Sequence, residues 1–538
     1  MSLPPDWLAF TLAVPPITVA VLGWFCKSRA LTFPARLDTF LTSSRWVPVA
    51  TGIVSALLTW FVWGSLGESG IVHDERAYLL QARIFAHGAW TGTPPPIATF
   101  FEQMHVFIDP RLAAKYPPGH ALLLVPGVWL NLPGLVPVVL SGLSGALIVI
   151  ISRHVAGAVA ALGGWALWST SVPSLTWRAS YFSQTTSGLL WLLSVWALLR
   201  WRTERRWFHL AIAIATVAWM YVTRPLTAVA LGLPVGCVIL WDVSRDFRLW
   251  RGMLGALLLS IPVVVLNFTW QERTSGDWLT NPYSEYSRVY FPFDKPGFGV
   301  DHSPPLRDVP EELAWVGRQF LDVHRDHVPS ALPSILFTQT IVLLIMLAQH
   351  STLFLLPVFV VGAICARGPL MFAVVSLGSV LLAYLAFAHP PGWIVYYFEI
   401  FPAFYVLACT GAIRLASAAF RFEPSRASVV VALALAILSP GLAANVWTAR
   451  QLNDSASAFH RRAERALATL PHAPAVVFVH YPAQHNFHRS IVTNTPDYRT
   501  APLWLVYDRG EKNAQLLRLT DRAAYRLDVG TWELQKIR

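Results

Sequence analysis

Residues His73-Asp74-Glu75 follow directly on an apolar stretch, and further along the same loop the chain reads Lys115-Tyr116-Pro117-Pro118-Gly119. Two adjacent carboxylates at the mouth of a membrane helix, with a lysine returning to the same loop, suit acid–base chemistry beside an anionic group. A carboxylate can take a proton from a hydroxyl, and an ammonium can neutralise an anionic leaving group. Pro117-Pro118 fixes the backbone that presents the lysine. Taken singly, each residue has a plainer role. An Asp-Glu pair at a helix start caps backbone N–H groups and complements the dipole, and a lysine beside an apolar span snorkels to the interface. Their meeting in one loop favours chemistry.

Other segments carry side chains of the same kind. Arg224, in Tyr221-Val222-Thr223-Arg224-Pro225, sits in a tight turn between two apolar spans and suits a phosphate oxyanion. Its plainer role is to pair with headgroups or cap a helix. Tyr396, Tyr397 and Glu399 follow Pro390-Pro391-Gly392 at the end of another span. Tyrosines there commonly form an interfacial belt, yet their hydroxyls can donate to a phosphate oxygen. Arg83, Glu102 and His105 share the loop of Asp74 and, with Tyr116 and Glu399, are candidate contacts to a sugar or acceptor. Ordinary exposed polar residues would look the same. His480, His485 and His488 cluster as HYPAQHNFH, but no Cys or nearby acid completes a metal site. No nucleotide-binding glycine loop, GxSxG elbow or HExxH motif occurs, so neither a nucleotide-sugar donor nor a cofactor is expected.

The elements that must position these residues are hydrophobic helices. The 538 residues are 55% hydrophobic and 13% charged, with a mean hydropathy of +0.48. Soluble chains carry roughly 25% charged residues, so this is a polytopic membrane protein. The net charge of +11 does not indicate nucleic acid, because the basic excess sits in short loops between apolar spans. Cys26, Cys237, Cys365 and Cys409 lie singly, and no disulfide is expected. Lys27 and Arg29 follow the first apolar stretch rather than precede it, unlike a signal peptide.

Twelve spans are expected, at about 7–26, 46–66, 134–152, 156–172, 185–199, 207–223, 226–241, 251–267, 351–366, 369–388, 393–413 and 427–447. Residues 119–132 read as a partly inserted helix and 332–348 as a re-entrant piece. Basic clusters (Lys27 to Arg45, Arg200 to Arg206, Arg245 to Arg251, Arg367, and Arg414 to Arg426) assign one side to the cytoplasm and put Asp74 outside. The external parts are a loop at 67–118, a second at 268–330 rich in Pro, Asp and aromatics, and a tail. Residues 1–448 thus form a multi-pass domain and 449–538 a small α/β domain. The tail opens with an Arg-rich helix (Arg450 to Leu470) and has strand-like runs at 475–480 and 503–507. After Asp74, ERAYLLQARIFAHG has helical period. Ala77, Leu80 and Ile84 share one face and Tyr78, Ala82 and Phe85 another, on a short helix expected to lie at the membrane surface.

HDERAYLLQARIFAHGAW, AAKYPPGHALLL, TRPLTA and IVYYFEIFPA occur in an order that resembles bacterial GT-C glycosyltransferases, the aminoarabinose lipid A transferases and protein O-mannosyltransferases. The resemblance covers about 46–415 and is strongest in the first loop. It implies inverting transfer of one sugar from a polyprenyl-phosphate carrier to a glycan, lipid or protein acceptor, at the outer face of a bacterial inner membrane. It also implies roles: Asp74 as base, Glu75 as its neighbour, Lys115 and Arg224 on the donor phosphate, and Tyr396 or Tyr397 as the aromatic phosphate contact. Some relatives use a divalent metal; the first-loop residues require none. The chain departs from the family in three ways. It has an additional first span, Val395 where many relatives have arginine, and no carboxylate in TWRASYFSQTT (176–186). The competing readings are a transporter or flippase for a lipid-linked sugar and a non-catalytic envelope scaffold. A transporter would place ionisable groups mid-membrane and show inverted repeats, whereas these spans are nearly charge-free and no repeat is found.

Overall fold

The protein, described here from a computed structural model, is resolved into residues 5–29, 35–67, 70–349, 351–470 and 474–538. Among these, seven helical stretches are long and apolar enough to cross a bilayer: Trp46–Trp63, Leu135–Ala156, Pro225–Arg245, Phe247–Ser275, Pro329–Ala348, Gly368–Ala386 and Ile394–Phe420. Val14–Lys27, Trp207–Tyr221 and Leu355–Ile364 are shorter apolar helices. Apolar side chains such as Leu257, Val264 and Val265 are half exposed, as expected where lipid replaces water. The chain is a multi-pass membrane protein.

Against the twelve expected spans, seven helical stretches among the described residues qualify by length and composition, or eight if the bent pair Pro424–Ile437 and Ser439–Leu467 is one span. The segment expected at 156–172 is the 13-residue helix Ala158–Thr170, about 20 Å long and short of a bilayer. That at 185–199 belongs to Gln184–Glu204, which opens on the polar run Gln184-Thr185-Thr186-Ser187. That at 427–447 is broken: Pro424–Ile437 and Ser439–Leu467 meet at 48°, where Pro440 removes a backbone donor. Residues 119–132 form only the 12-residue helix Pro118–Trp129. Contrary to the re-entrant expectation, Pro329–Ala348 is an unbroken 20-residue helix. The basic loops keep their common side nonetheless. Asp38, Arg367 and Arg414 line one cavity with Ala156, at the far end of a helix whose first residues adjoin Leu66, through Gly134 N–H to Leu66 O at 2.9 Å. That helix is 22 residues, about 33 Å, and separates these cations from Asp74.

Small residues let helices approach. On the Leu135–Ala156 helix, a Cβ on Gly142 would stand 3.1 Å from Gly52 O, and Thr59 and Ser141 share a hydroxyl hydrogen bond of 2.7 Å beside it.

The helix after Asp74 forms as its periodicity predicts, over His73–Ala86, but it is not laid out on a surface. Ala77, Leu80 and Ile84 pack with Val476, Phe478 and Trp504 of the tail, while Tyr78, Leu79 and Ala82 pack with Val62, Leu124 and Leu175 of the bundle. A two-residue ladder, β1 (Val106–Phe107) with β2 (Ala113–Ala114), closes the first loop. The tail carries β3 (Ala475–His480), β4 (Leu503–Tyr507), β5 (Ala523–Asp528) and β6 (Glu533–Lys536) in the order β4–β3–β5–β6. The first three are parallel and β6 antiparallel. Both strand-like runs of the sequence are strands, and the Arg-rich helix is the end of Ser439–Leu467. The tail sheet shares its core with the first loop instead of burying both faces within itself.

Candidate active site

The first turn of His73–Ala86 sets out its two carboxylates differently. Glu75 turns inward and is 4% exposed. Its Oε1 accepts from the N–H of Ile71 and Val72 at 3.2 and 3.4 Å, and its Oε2 from Tyr181 N–H at 2.9 Å. This is the acidic half of a capping box, built without a hydroxyl at Val72. Burial pushes the Glu75 carboxyl up to about 7, against those three donors. Asp74 instead faces a cavity of about 160 Å³. Tyr116 donates its hydroxyl to Asp74 Oδ1, and His105 Nε2 lies 3.7 Å from Oδ2. Burial, with Lys115 nearby, holds His105 well below the ordinary imidazole range, so it meets Asp74 as a neutral ring.

The lysine motif is carried to this place by its backbone. Lys115 N–H donates to His105 O at 2.9 Å, extending the β1–β2 ladder, and Gly119 N–H donates to Val222 O at 2.7 Å. A Cβ on Gly119 would lie 2.5 Å from Thr223 Oγ1 and 2.7 Å from Val222 O, so only glycine lets the Lys-Tyr-Pro-Pro-Gly segment dock on the turn before Arg224. That contact brings Tyr116, Pro117, Thr223, Arg224 and Pro225 into one wall of the cavity.

Arg224 precedes Pro225 in an extended conformation, φ −147° and ψ 87°, as a residue before proline prefers. Its Nη2 donates to Tyr384 Oη at 2.7 Å and its Nε to Thr227 Oγ1 at 3.2 Å. Glu399 Oε1 lies 3.3 Å from Nε and accepts from Ser187 Oγ, leaving Oε2 buried without a partner. The guanidinium is 6.0 Å from the Tyr396 ring.

The predicted residues therefore divide. Asp74, Tyr116, Arg224 and Tyr396 line the cavity, together with Val395. The sequence left Tyr396 and Tyr397 equal; Tyr397 is fully buried and donates to Gln339 Oε1 at 3.0 Å. Lys115 is 1% exposed and one ring behind the wall. Its Nζ is 3.5 Å from Asp294 Oδ2 and 4.0 Å from the centroid of the Tyr283 ring, which itself lines the cavity. Burial, opposed by Asp294, pulls the ammonium below its ordinary range. Glu399 faces Arg224 rather than the cavity. Glu102 pairs with Arg307, where burial, opposed by Arg307, lifts its carboxyl to about 7. Glu102 and Arg83 do not line this cavity.

Sequence reasoning missed Tyr78, Phe182, Gln184, Tyr283 and Tyr384, all on the cavity wall, and Asp294. The aromatic density of 283–293 was a usable signal for the second loop. TWRASYFSQTT, noted for lacking a carboxylate, supplies Phe182, Gln184 and the Tyr181 N–H that holds Glu75. Among the described residues, no three His, Cys, Asp or Glu side chains converge as metal ligands do.

Among solved structures the chain is similar to ArnT from Cupriavidus metallidurans bound to undecaprenyl phosphate, with a TM-score of 0.49, 14% identity, and 90% of this chain and 93% of that one covered. It is also similar to the oligosaccharyltransferase of Archaeoglobus fulgidus in the apo form, with a TM-score of 0.43, 11% identity, and 81% and 62% covered. Both have the GT-C fold. No family model matches the chain, and no curated protein matches it in sequence.

Proposed function

We propose that the chain is an inverting glycosyltransferase that moves one sugar from a polyprenyl-phosphate donor to an acceptor hydroxyl, on the extracytoplasmic side of the membrane. The observation that carries this is a single cavity at the non-basic end of a membrane bundle, with the carboxylate of Asp74 and the guanidinium of Arg224 both on its wall.

Tyr116 occupies Asp74 Oδ1, which leaves Oδ2 to take the proton of an acceptor hydroxyl. The acceptor oxygen forms a bond to the anomeric carbon as the carbon–oxygen bond to phosphate breaks, and polyprenyl phosphate leaves with the electron pair. Arg224 meets the growing charge on the phosphate oxygens, with the hydroxyls of Tyr396 and Tyr384 beside it. One displacement inverts the anomeric centre, and phosphate leaves without needing a general acid. A second cavity of about 470 Å³ reaches Glu399 from within the bundle, lined by Ile148, Trp191, Leu192, Pro402 and Val406. It offers an isoprenoid chain an apolar place next to the phosphate position.

The test is purified wild type and Asp74→Asn incubated with a panel of polyprenyl-phosphate sugars, scoring free polyprenyl phosphate. Turnover by wild type that collapses in Asp74→Asn, with donor binding retained, is expected. Equal turnover in both removes Asp74 from the mechanism. Donor binding without turnover across the panel would favour a transporter or scaffold.

A further inference from the structure

In the run His73-Asp74-Glu75-Arg76 only Asp74 looks into the cavity, and its three neighbours are tied down. Glu75 is held by the bundle through Tyr181 N–H. Arg76 and His73 are held by the tail. Arg76 is 6% exposed; its Nε donates to Gly70 O at 2.8 Å, its Nη1 to Ser490 O and its Nη2 to His460. His460, on the Ser439–Leu467 helix, also bonds Ile71 O through Nε2 at 2.9 Å. His73 Nε2 bonds Phe487 O.

A buried cation satisfied by two carbonyls and an imidazole is unusual, since burying a charge is strongly unfavourable unless its donors are met. Two of the three partners of Arg76 come from the tail, so the guanidinium is satisfied only while the tail is docked. The same docking completes the apolar contact of Ala77, Leu80 and Ile84 with Val476, Phe478 and Trp504.

We infer that Arg76 is a positioning residue, fastening the turn that presents Asp74 to the carboxy-terminal domain, which is thereby part of the active site and not a detachable acceptor-binding module. This rests on the transferase reading above. The donor contacts Arg224 and Tyr396 stand on bundle segments, so loosening the tail displaces the base and leaves the donor site in place.

The test compares full-length wild type, Asp74→Asn, Arg76→Met, Arg76→Lys and, as a control on an exposed tail arginine, Arg465→Gln. Release of polyprenyl phosphate gives kcat and KM, and amide hydrogen exchange is followed in parallel. A base displaced by about 1 Å loses about 100-fold, so Arg76→Met should lose about that factor in kcat with KM for the donor nearly unchanged. Arg76→Lys, which restores one donor and the charge, should recover part of it. Exchange should quicken in 71–78 and 487–491 while the spans stay as in wild type. Wild-type kcat and exchange in Arg76→Met, with Asp74→Asn inactive, overturn the inference and leave the transferase reading standing. A kcat loss accompanied by faster exchange throughout the bundle also overturns it, because the role is then general stability. If wild type releases nothing from any donor, the transferase reading fails by itself. Exchange then decides the fastening: quickening confined to the two segments supports it, and none overturns it.

Discussion

Glu399→Gln should bind polyprenyl phosphate more tightly while the empty protein becomes less stable. The Glu399 side chain is fully buried, with Oε1 3.3 Å from Nε of Arg224. With an effective dielectric of about 20, unit charges at that separation attract by about 5 kcal/mol. The amide keeps the side chain's shape, its oxygen can still accept from Ser187, and Tyr384 and Thr227 still hold the guanidinium. The loss to the fold is therefore smaller, about 1–3 kcal/mol. Arg224, left without its counter-charge, faces the cavity as a stronger anion site. If one fifth of the lost attraction reappears in phosphate binding, about 1 kcal/mol, affinity rises about fivefold. Thermal melting with and without polyprenyl phosphate, together with calorimetric titration, reads both effects. The expected pattern is a lower melting temperature when empty, a larger rise on adding ligand, and slower turnover as product release is retarded. Unchanged or weaker binding by a folded variant would refute Arg224 as the phosphate contact.

Three other outcomes follow from the same geometry. Lys115→Met strands Asp294 without its cation, which costs about 3–5 kcal/mol; adding Asp294→Leu should restore the melting temperature, while transfer stays impaired if the lysine also serves the phosphate. Full recovery of activity in the double variant confines Lys115 to the fold. Burial holds Glu75 at about 7, above its ordinary 4.5, so the folded state favours its protonated form and that contribution is lost as pH rises from about 4.5 through about 7. The melting temperature of wild type should fall across that window, and Glu75→Gln should flatten the fall; an identical slope in both removes Glu75 as its source. Gly119→Ala places a Cβ within 2.5 Å of Thr223 Oγ1, a clash of about 1–3 kcal/mol that should weaken donor binding. Unaltered binding would mean the Arg224 turn does not depend on this docking.

The sequence by itself determined much of this protein. Low charge and long apolar runs required a membrane bundle, because unpaired backbone groups cannot face lipid. The periodicity of 73–86 required a helix with two apolar faces, and the short apolar runs rich in β-branched and aromatic residues at 475–480 and 503–507 pointed to strands, which pair as parallel neighbours. Asp74, Tyr116, Arg224 and the pair Tyr396 and Tyr397 were legible as candidates because polar groups able to bind or move a proton recur at the ends of apolar spans, and the fold brings the first three and Tyr396 to one cavity. Tertiary structure decided what local pattern does not carry. Asp74 and Glu75 differ by one residue, and the 100° turn between them on a helix sends one carboxylate to the cavity and the other to the N–H of Tyr181. Tyr396 and Tyr397 part likewise, by the turn of about 120° between neighbours on the 3-10 helix Ile394–Ile400. Apolar length could not show that the helix within 156–172 runs only from Ala158 to Thr170. Nor could it show that the faces of 73–86 are covered by the tail and the bundle, that Lys115 has Asp294 as its partner, or that Arg76 is closed over by Ser490 and His460. Arg76 and Ser490 lie 414 residues apart, and only folding brings such partners within reach of a hydrogen bond.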